Sequence, residues 1–160
     1  MLSPMVTLLN KEDLVPWRQL RASTAIIAAS GCFDFIHPGH VKLLQSAKNL
    51  GDTLIIGINS DESIKRLKGA QRPIYPVEDR ILMLGSLRFV DAITVFDEDK
   101  ATNFLKAVKP KIWVKGSDWT LDKIDREELA AVESNGGRLQ IIDTGVSWHT
   151  TSILETLRTA

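Results

Sequence analysis

The chain has 160 residues, 44% hydrophobic and 25% charged, and its 20 Lys and Arg balance 20 Asp and Glu to a formal net charge of +0. That length and apolar content suit one domain with a sizeable core, and the even balance argues against bulk electrostatic binding to nucleic acid or to a membrane surface. Cys32 is the only cysteine, residues 1–10 lack the basic and apolar stretches of an export signal, and no apolar run approaches a spanning helix; the expectation is a cytoplasmic protein in a reducing compartment.

Along the chain, Leu14, Trp17 and Leu20 fall at helical spacing and predict a short amphipathic helix within residues 11–21. It belongs to an N-terminal extension, residues 1–23, packed outside a main unit of residues 24–160. An apolar run at 25–30 predicts the first strand, followed by a helix over 39–50 that Gly51 ends. Residues 53–59 form a near-continuous apolar run, the mark of a parallel strand buried on both faces. A helix over 61–67 follows, with Ser60 or Asp61 as its cap. Beyond the loop 68–73 come a helix over 77–89, a strand over 92–96, a helix over 102–108 and a strand over 111–115. A helix over 122–134, a turn at Gly136-Gly137, a strand over 139–143 and a helix over 150–157 complete the chain. Strict alternation of this kind predicts an α/β fold: a Rossmann-like, doubly wound parallel sheet of five strands with helices on both faces, and a ligand crevice at the carboxyl ends of the strands.

Polar residues gather where those strands end. Gly31-Cys32-Phe33-Asp34-Phe35-Ile36-His37-Pro38-Gly39-His40 joins the first strand to its helix. The unpaired N–H groups and dipole of a helix start favour phosphate, Gly39 permits close approach, and His37 and His40, three apart, are placed to donate to one polyphosphate. Asn59 and Asp61 follow the second strand, Lys115-Gly116-Ser117-Asp118 a later one, and Thr150-Thr151 open the last helix as a second phosphate seat. Lys68, Arg72 and Arg80 supply positive charge, and Arg80 lies beside the apolar stripe of its helix, where an inward guanidinium needs an anionic partner. The inventory fits phosphoryl-group chemistry, which relies on positioning and electrostatic stabilisation; a phosphate monoester acceptor needs no general base near pH 7. Mg²⁺ would bridge phosphate oxygens, with one possible protein contact at Asp34. Two rival chemistries are weaker: Cys32 directly follows an apolar strand, as a buried inert thiol would, and Asp34, His37 and His40 lack the spacing of a zinc site.

The Gly-x-Phe-Asp-x-x-His-x-Gly-His stretch resembles the signature of the cytidylyltransferase-like nucleotidyltransferases, and the likeness extends over about residues 25–158. Asn59-Ser60-Asp61, Lys65 to Gly69, Arg72-Pro73-Ile74, Glu78-Asp79-Arg80, Phe96 to Asp99 and Lys115 to Asp118 are similar to the heptose 1-phosphate adenylyltransferase (ADP-heptose synthase) family. That resemblance implies transfer of AMP from ATP to a heptose 1-phosphate for lipopolysaccharide core assembly. It implies His37, His40, Lys68 and Arg80 as catalytic residues on the phosphates. Gly31, Cys32, Phe33, Gly39, Lys115, Gly116, Asp118, Thr150 and Thr151 would surround the nucleotide, with Asp34, Asn59, Asp61 and Arg72 toward the sugar phosphate. It also implies a homodimer. The family usually carries Ser-Thr-Thr before its last helix, whereas here His149 holds the Ser position after Trp148, which bears on the choice of base. Lys115 to Trp119 is similar as well to glycerol 3-phosphate cytidylyltransferases, which use CTP, and a non-catalytic nucleotide-binding protein remains the alternative from another class.

Overall fold

The computed structural model describes residues 6–146. Its sheet is built from β1 (Thr7–Leu9), β2 (Ile26–Gly31), β3 (Thr53–Asn59), β4 (Ala92–Phe96), β5 (Ile112–Gly116) and β6 (Arg138–Ile142), in the order β1-β4-β3-β2-β5-β6 with every neighbouring pair parallel. The helices are α1 (Leu14–Gln19), α2 (Pro38–Lys48), α3 (Asp61–Lys68), α4 (Val77–Gly85), α5 (Thr102–Val108) and α6 (Arg126–Glu133).

Successive side chains of a strand point to opposite faces, and the two halves of the core follow that rule. Ile26 and Ala28 join Ile55, Ala92 and Trp113 on the face that α1, α5 and α6 cover. Ile27 and Ala29 join Leu54, Ile56 and Ile58 on the face that α2 and α4 cover with Leu44, Ala47 and Leu84. The strand expected at 53–59 is therefore buried on both sides, as its unbroken apolar run required.

The sheet has six strands rather than five. Thr7–Leu9 pairs at the edge with β4, Thr7 opposite Ala92. Three residues are too few to show a periodicity, and the partner strand lies more than eighty residues away, so nothing local marks the segment as a strand. The short helix does form, but it does not lie outside: Leu14 and Trp17 are buried in the core that α5 and α6 share. The helix expected over 122–134 is divided, because the Asp125 carboxylate accepts from the N–H groups of Glu127 (2.8 Å) and Glu128 (3.2 Å) and starts α6 afresh at Arg126. The helix expected over 77–89 stops at Gly85. The helix expected over 150–157 lies outside the described residues. No described helix is long and apolar enough to cross a membrane.

From β2 the chain winds outward through β3 to β4, then returns to place β5 on the other side of β2. The switch point of this doubly wound sheet is thus between β2 and β5, and the crevice beyond their carboxyl ends is where such folds bind ligands. The indole N–H of Trp113 on β5 donates to Ser30 Oγ on β2 at 3.1 Å, which locks the two strands together just below that crevice.

Candidate active site

A cleft of about 590 Å³ opens at the switch point. Gly31, Cys32, Phe33, Asp34, His37, Gly39 and His40 line it from the loop after β2, Asn59 from the end of β3, Lys68 and Arg72 from the end of α3 and the loop beyond, and Lys115, Gly116 and Asp118 from the end of β5. Residues separated by most of the chain therefore meet in one hollow, as the alternating pattern predicted. Arg80 and Asp61 stand behind its described wall, and Thr150 and Thr151 lie outside the described residues.

His37 is the N-cap of α2, with Pro38 in the first turn, where a missing N–H costs nothing. Its Nδ1 accepts from the Gly39 N–H at 3.1 Å, and Nδ1 of His40 accepts from the His37 N–H at 3.4 Å. A neutral imidazole accepting at Nδ1 carries its proton on Nε2, so this backbone arrangement turns both rings into donors at Nε2. The ring centres are 4.0 Å apart. Burial first, then the neighbouring His37 and Lys68, lowers the pKa of His40 to about 4. At neutral pH the His40 imidazole is therefore uncharged, with its proton on Nε2.

Phe33 has a backbone φ of 45° in the left-handed region, an unusual conformation for a bulky residue that costs of the order of 1–2 kcal/mol. Its ring is buried and lies 5.4 Å from that of His40. Asp34, next in sequence, is almost wholly enclosed. One carboxylate oxygen accepts from Arg72 Nε, and the other from the N–H groups of Ile74 (2.6 Å) and Tyr75 (3.3 Å). Those bonds correct the expected role of Asp34 as a Mg²⁺ contact: both oxygens already have protein partners, and the set does not fit a cation. No group of three or more His, Cys, Asp and Glu among the described residues is arranged to hold a metal ion.

Arg80 has the inward direction that its helical position predicted, but its partner is the protein rather than a polyphosphate. Nε donates to Tyr75 O (3.1 Å), Nη1 to Cys32 O (2.7 Å) and Asn59 O (2.8 Å), and Nη2 to Asp61 Oδ1 (2.7 Å). Asp61 is accordingly an ion-pair partner of Arg80 at the start of α3. The Asn59 amide is turned inward too, donating to Ser63 Oγ at 2.9 Å. Lys68, at the exposed end of α3 before Gly69 (φ 98°), lines the cleft. Burial pushes the Cys32 thiol up, despite Lys68 and Arg80 acting in the other direction, so it is held in the protonated, unreactive form.

On the β5 side, Lys115 is a buried lysine. Its Nζ donates to Ser30 O at 3.3 Å and lies 4.9 Å and 4.5 Å from the ring centres of Trp113 and Trp119. Burial lowers its pKa, opposed by the carboxylates of Glu128 and Asp118. Residues 116–119 form a turn closed by the Trp119 N–H on Gly116 O, in which Asp118 folds back so far that a Cβ on Gly116 would sit 2.7 Å from its Oδ1. Ser30, Trp119 and Glu128 also line the cleft and were missed from sequence. Trp119 left one trace, a large aromatic in a polar loop; Ser30 and Glu128 left none, because each acts through a partner distant in the chain.

Residues 28–152 match the family described as cytidylyltransferase-like. The chain is 44% identical over 130 residues to the bifunctional protein HldE of Geobacter sulfurreducens, covering 81% of this chain and 26% of the relative. It is 45% identical over 133 residues to the bifunctional protein HldE of Nitratiruptor, covering 83% and 28%. It spans little more than a quarter of the length of these curated relatives. Among solved structures, the lipopolysaccharide core biosynthesis protein of Thermoplasma volcanium superposes with a TM-score of 0.61 at 29% identity, covering 76% of this chain and 96% of that one. The pantoate-beta-alanine ligase of Francisella tularensis, at 14% identity and a TM-score of 0.57 over 86% of this chain and 67% of that one, shares the fold.

Proposed function

The chain belongs to the cytidylyltransferase-like family, and from that premise we propose that it transfers AMP from ATP to D-glycero-D-manno-heptose 1-phosphate, giving ADP-heptose and pyrophosphate. The observation that carries this reading is the pair of imidazoles at the start of α2, each directed by a backbone N–H to donate at Nε2. The likeness to HldE proteins and to a lipopolysaccharide core biosynthesis protein supports the choice of acceptor.

In this reading the triphosphate lies over the start of α2, where Nε2 of His37 and of His40 donates to its oxygens. A phosphate oxygen of the sugar attacks the α-phosphorus in line, the new P–O bond forms as the bond to the pyrophosphate oxygen breaks, and the electron pair leaves with pyrophosphate. The acceptor, with second pKa roughly 6, is largely dianionic at pH 7, so no side chain must take a proton. Lys68 faces the charge that builds on the leaving group, Arg72 lies toward the sugar phosphate, and Lys115, Gly116, Asp118 and Trp119 bound the nucleoside end. Mg²⁺ accompanies the triphosphate as its counter-ion rather than occupying a protein cage. The homodimer belongs to the same proposal and rests on the family resemblance, and the cytoplasmic location rests on the single cysteine, Cys32.

Pyrophosphate release tests it. The full chain is incubated with Mg²⁺, each of ATP, CTP, GTP and UTP, and either heptose 1-phosphate or glycerol 3-phosphate. Turnover with ATP and heptose 1-phosphate is expected, lost in His40→Ala with the far-UV spectrum unchanged. Turnover only with CTP and glycerol 3-phosphate would replace this reading, and binding of a nucleotide without release in any pairing would favour a non-catalytic protein.

A further inference from the structure

Arg80 is completely buried. Four protein acceptors occupy its five-donor guanidinium, and three of them are main-chain carbonyls in separate parts of the chain: Cys32 after β2, Asn59 at the end of β3 and Tyr75 before α4. No free fork of parallel N–H groups remains, which is the geometry that bidentate phosphate binding needs.

Tyr75 is held from its other side as well. While its carbonyl accepts from Arg80, its N–H, with that of Ile74, donates to Asp34. Cys32 and Asp34 flank Phe33, so the residue with φ 45° is fastened at both neighbours. A left-handed conformation at a bulky residue persists only where its surroundings over-determine it. The consequence is local: the Phe33 ring, 7% exposed, is brought to 5.4 Å from His40.

We propose that Arg80 is a positioning residue that acts through Phe33: by fixing Cys32 and Tyr75 it holds the Phe33 ring against His40, and it touches no substrate atom. This rests on the reading that His40 faces the triphosphate, but its first measurement needs no substrate. The groups that bear on His40 are the His37 ring on α2, the Lys68 ammonium at the end of α3 and the burial to which Phe33 contributes. If the Phe33 ring retreats, water reaches the imidazole and its protonation becomes easier.

The test is a proton NMR titration of the imidazole Cε1–H signals in the nucleotide-free full chain, with His40 assigned by His40→Gln. Wild type, Phe33→Leu and Arg80→Lys are compared. The wild-type midpoint should lie near 4, and both variants should raise it by about one pH unit or more. In the transfer assay Arg80→Lys should lower kcat by about tenfold or more with KM for ATP within about threefold. An Arg80→Lys variant that keeps the His40 midpoint in place but binds a non-hydrolysable ATP analogue about tenfold more weakly would overturn the proposal in favour of direct phosphate contact. Should Arg80→Lys fail to fold, Phe33→Leu decides alone: an unmoved midpoint there overturns it. Absence of turnover in the wild type would instead count against adenylyl transfer and leave the titration readable.

Discussion

The Asp34 carboxylate is bonded to the Arg72 guanidinium across 38 residues of sequence, and its second oxygen takes the N–H groups of Ile74 and Tyr75. One buried side chain thereby fastens the loop that carries Arg72 to the loop that carries the histidines. Removing either partner leaves a charge without compensation in a region where the Asp34 side chain is 1% and the Arg72 side chain 17% exposed.

Asp34→Ala should therefore lower unfolding free energy by about 3–5 kcal/mol, and Arg72→Ala should follow it closely. Urea unfolding of both single variants and the double variant measures the coupling. The double variant is expected to be less destabilised than the sum of the singles, since the second substitution removes the stranded partner. Additive effects would show that the pair does not act as a unit.

His40 ties stability to pH in a definite direction. Its pKa is near 4 in the folded chain and near 6.5 in the unfolded one, so between those values the unfolded state binds the extra proton. Its contribution should be complete above pH 6.5, decline as pH falls through the window, and amount to a loss of about 3 kcal/mol by pH 4 and below. The difference in unfolding free energy between wild type and His40→Gln, measured from pH 7.5 to 4, should fall along that curve. A difference independent of pH would contradict the burial of the ring.

Lys115 should carry the opposite lesson, a side chain retained at a cost to the fold. Burial depresses its pKa, so at pH 7 the unfolded state holds its proton more firmly than the folded state does. Lys115→Met keeps an apolar stem between Trp113 and Trp119 and should be neutral to stabilising by about 1–2 kcal/mol at pH 7. The advantage should shrink as pH rises toward 10, where wild type no longer pays for the charge. Nucleotide turnover should nevertheless fall by about tenfold or more, because the cleft loses its buried donor. Thermal melts over that pH range, with the transfer assay beside them, check both halves.

Much of the fold was legible because its signals are local. The run from Thr53 to Asn59 marks a strand buried on both faces, and the strand bounds at 53–59 and 92–96 and the helix bounds at 102–108 agree with the structure. Thr7–Leu9 was not legible, since an edge strand of three residues is defined only by its partner β4. The division of the helix after residue 122 depended on Asp125 capturing two N–H groups, a competition that periodicity does not register.

At the site, the residue types and their place at strand exits were readable from the chain itself: His37, Gly39 and His40 at a helix start, and Lys115 to Asp118 at the end of a strand. What the amino acids alone left open was the partner of each charge. Arg80 and Asp34 carry the same chemistry whether they hold a phosphate, a metal ion or the backbone. Only the packing of β2, β3 and the loop before α4 assigned them to Cys32, Asn59, Ile74 and Tyr75. The physical reason is that secondary structure arises from neighbours along the chain, whereas a buried charge must take whichever acceptor or donor the folded chain brings within reach.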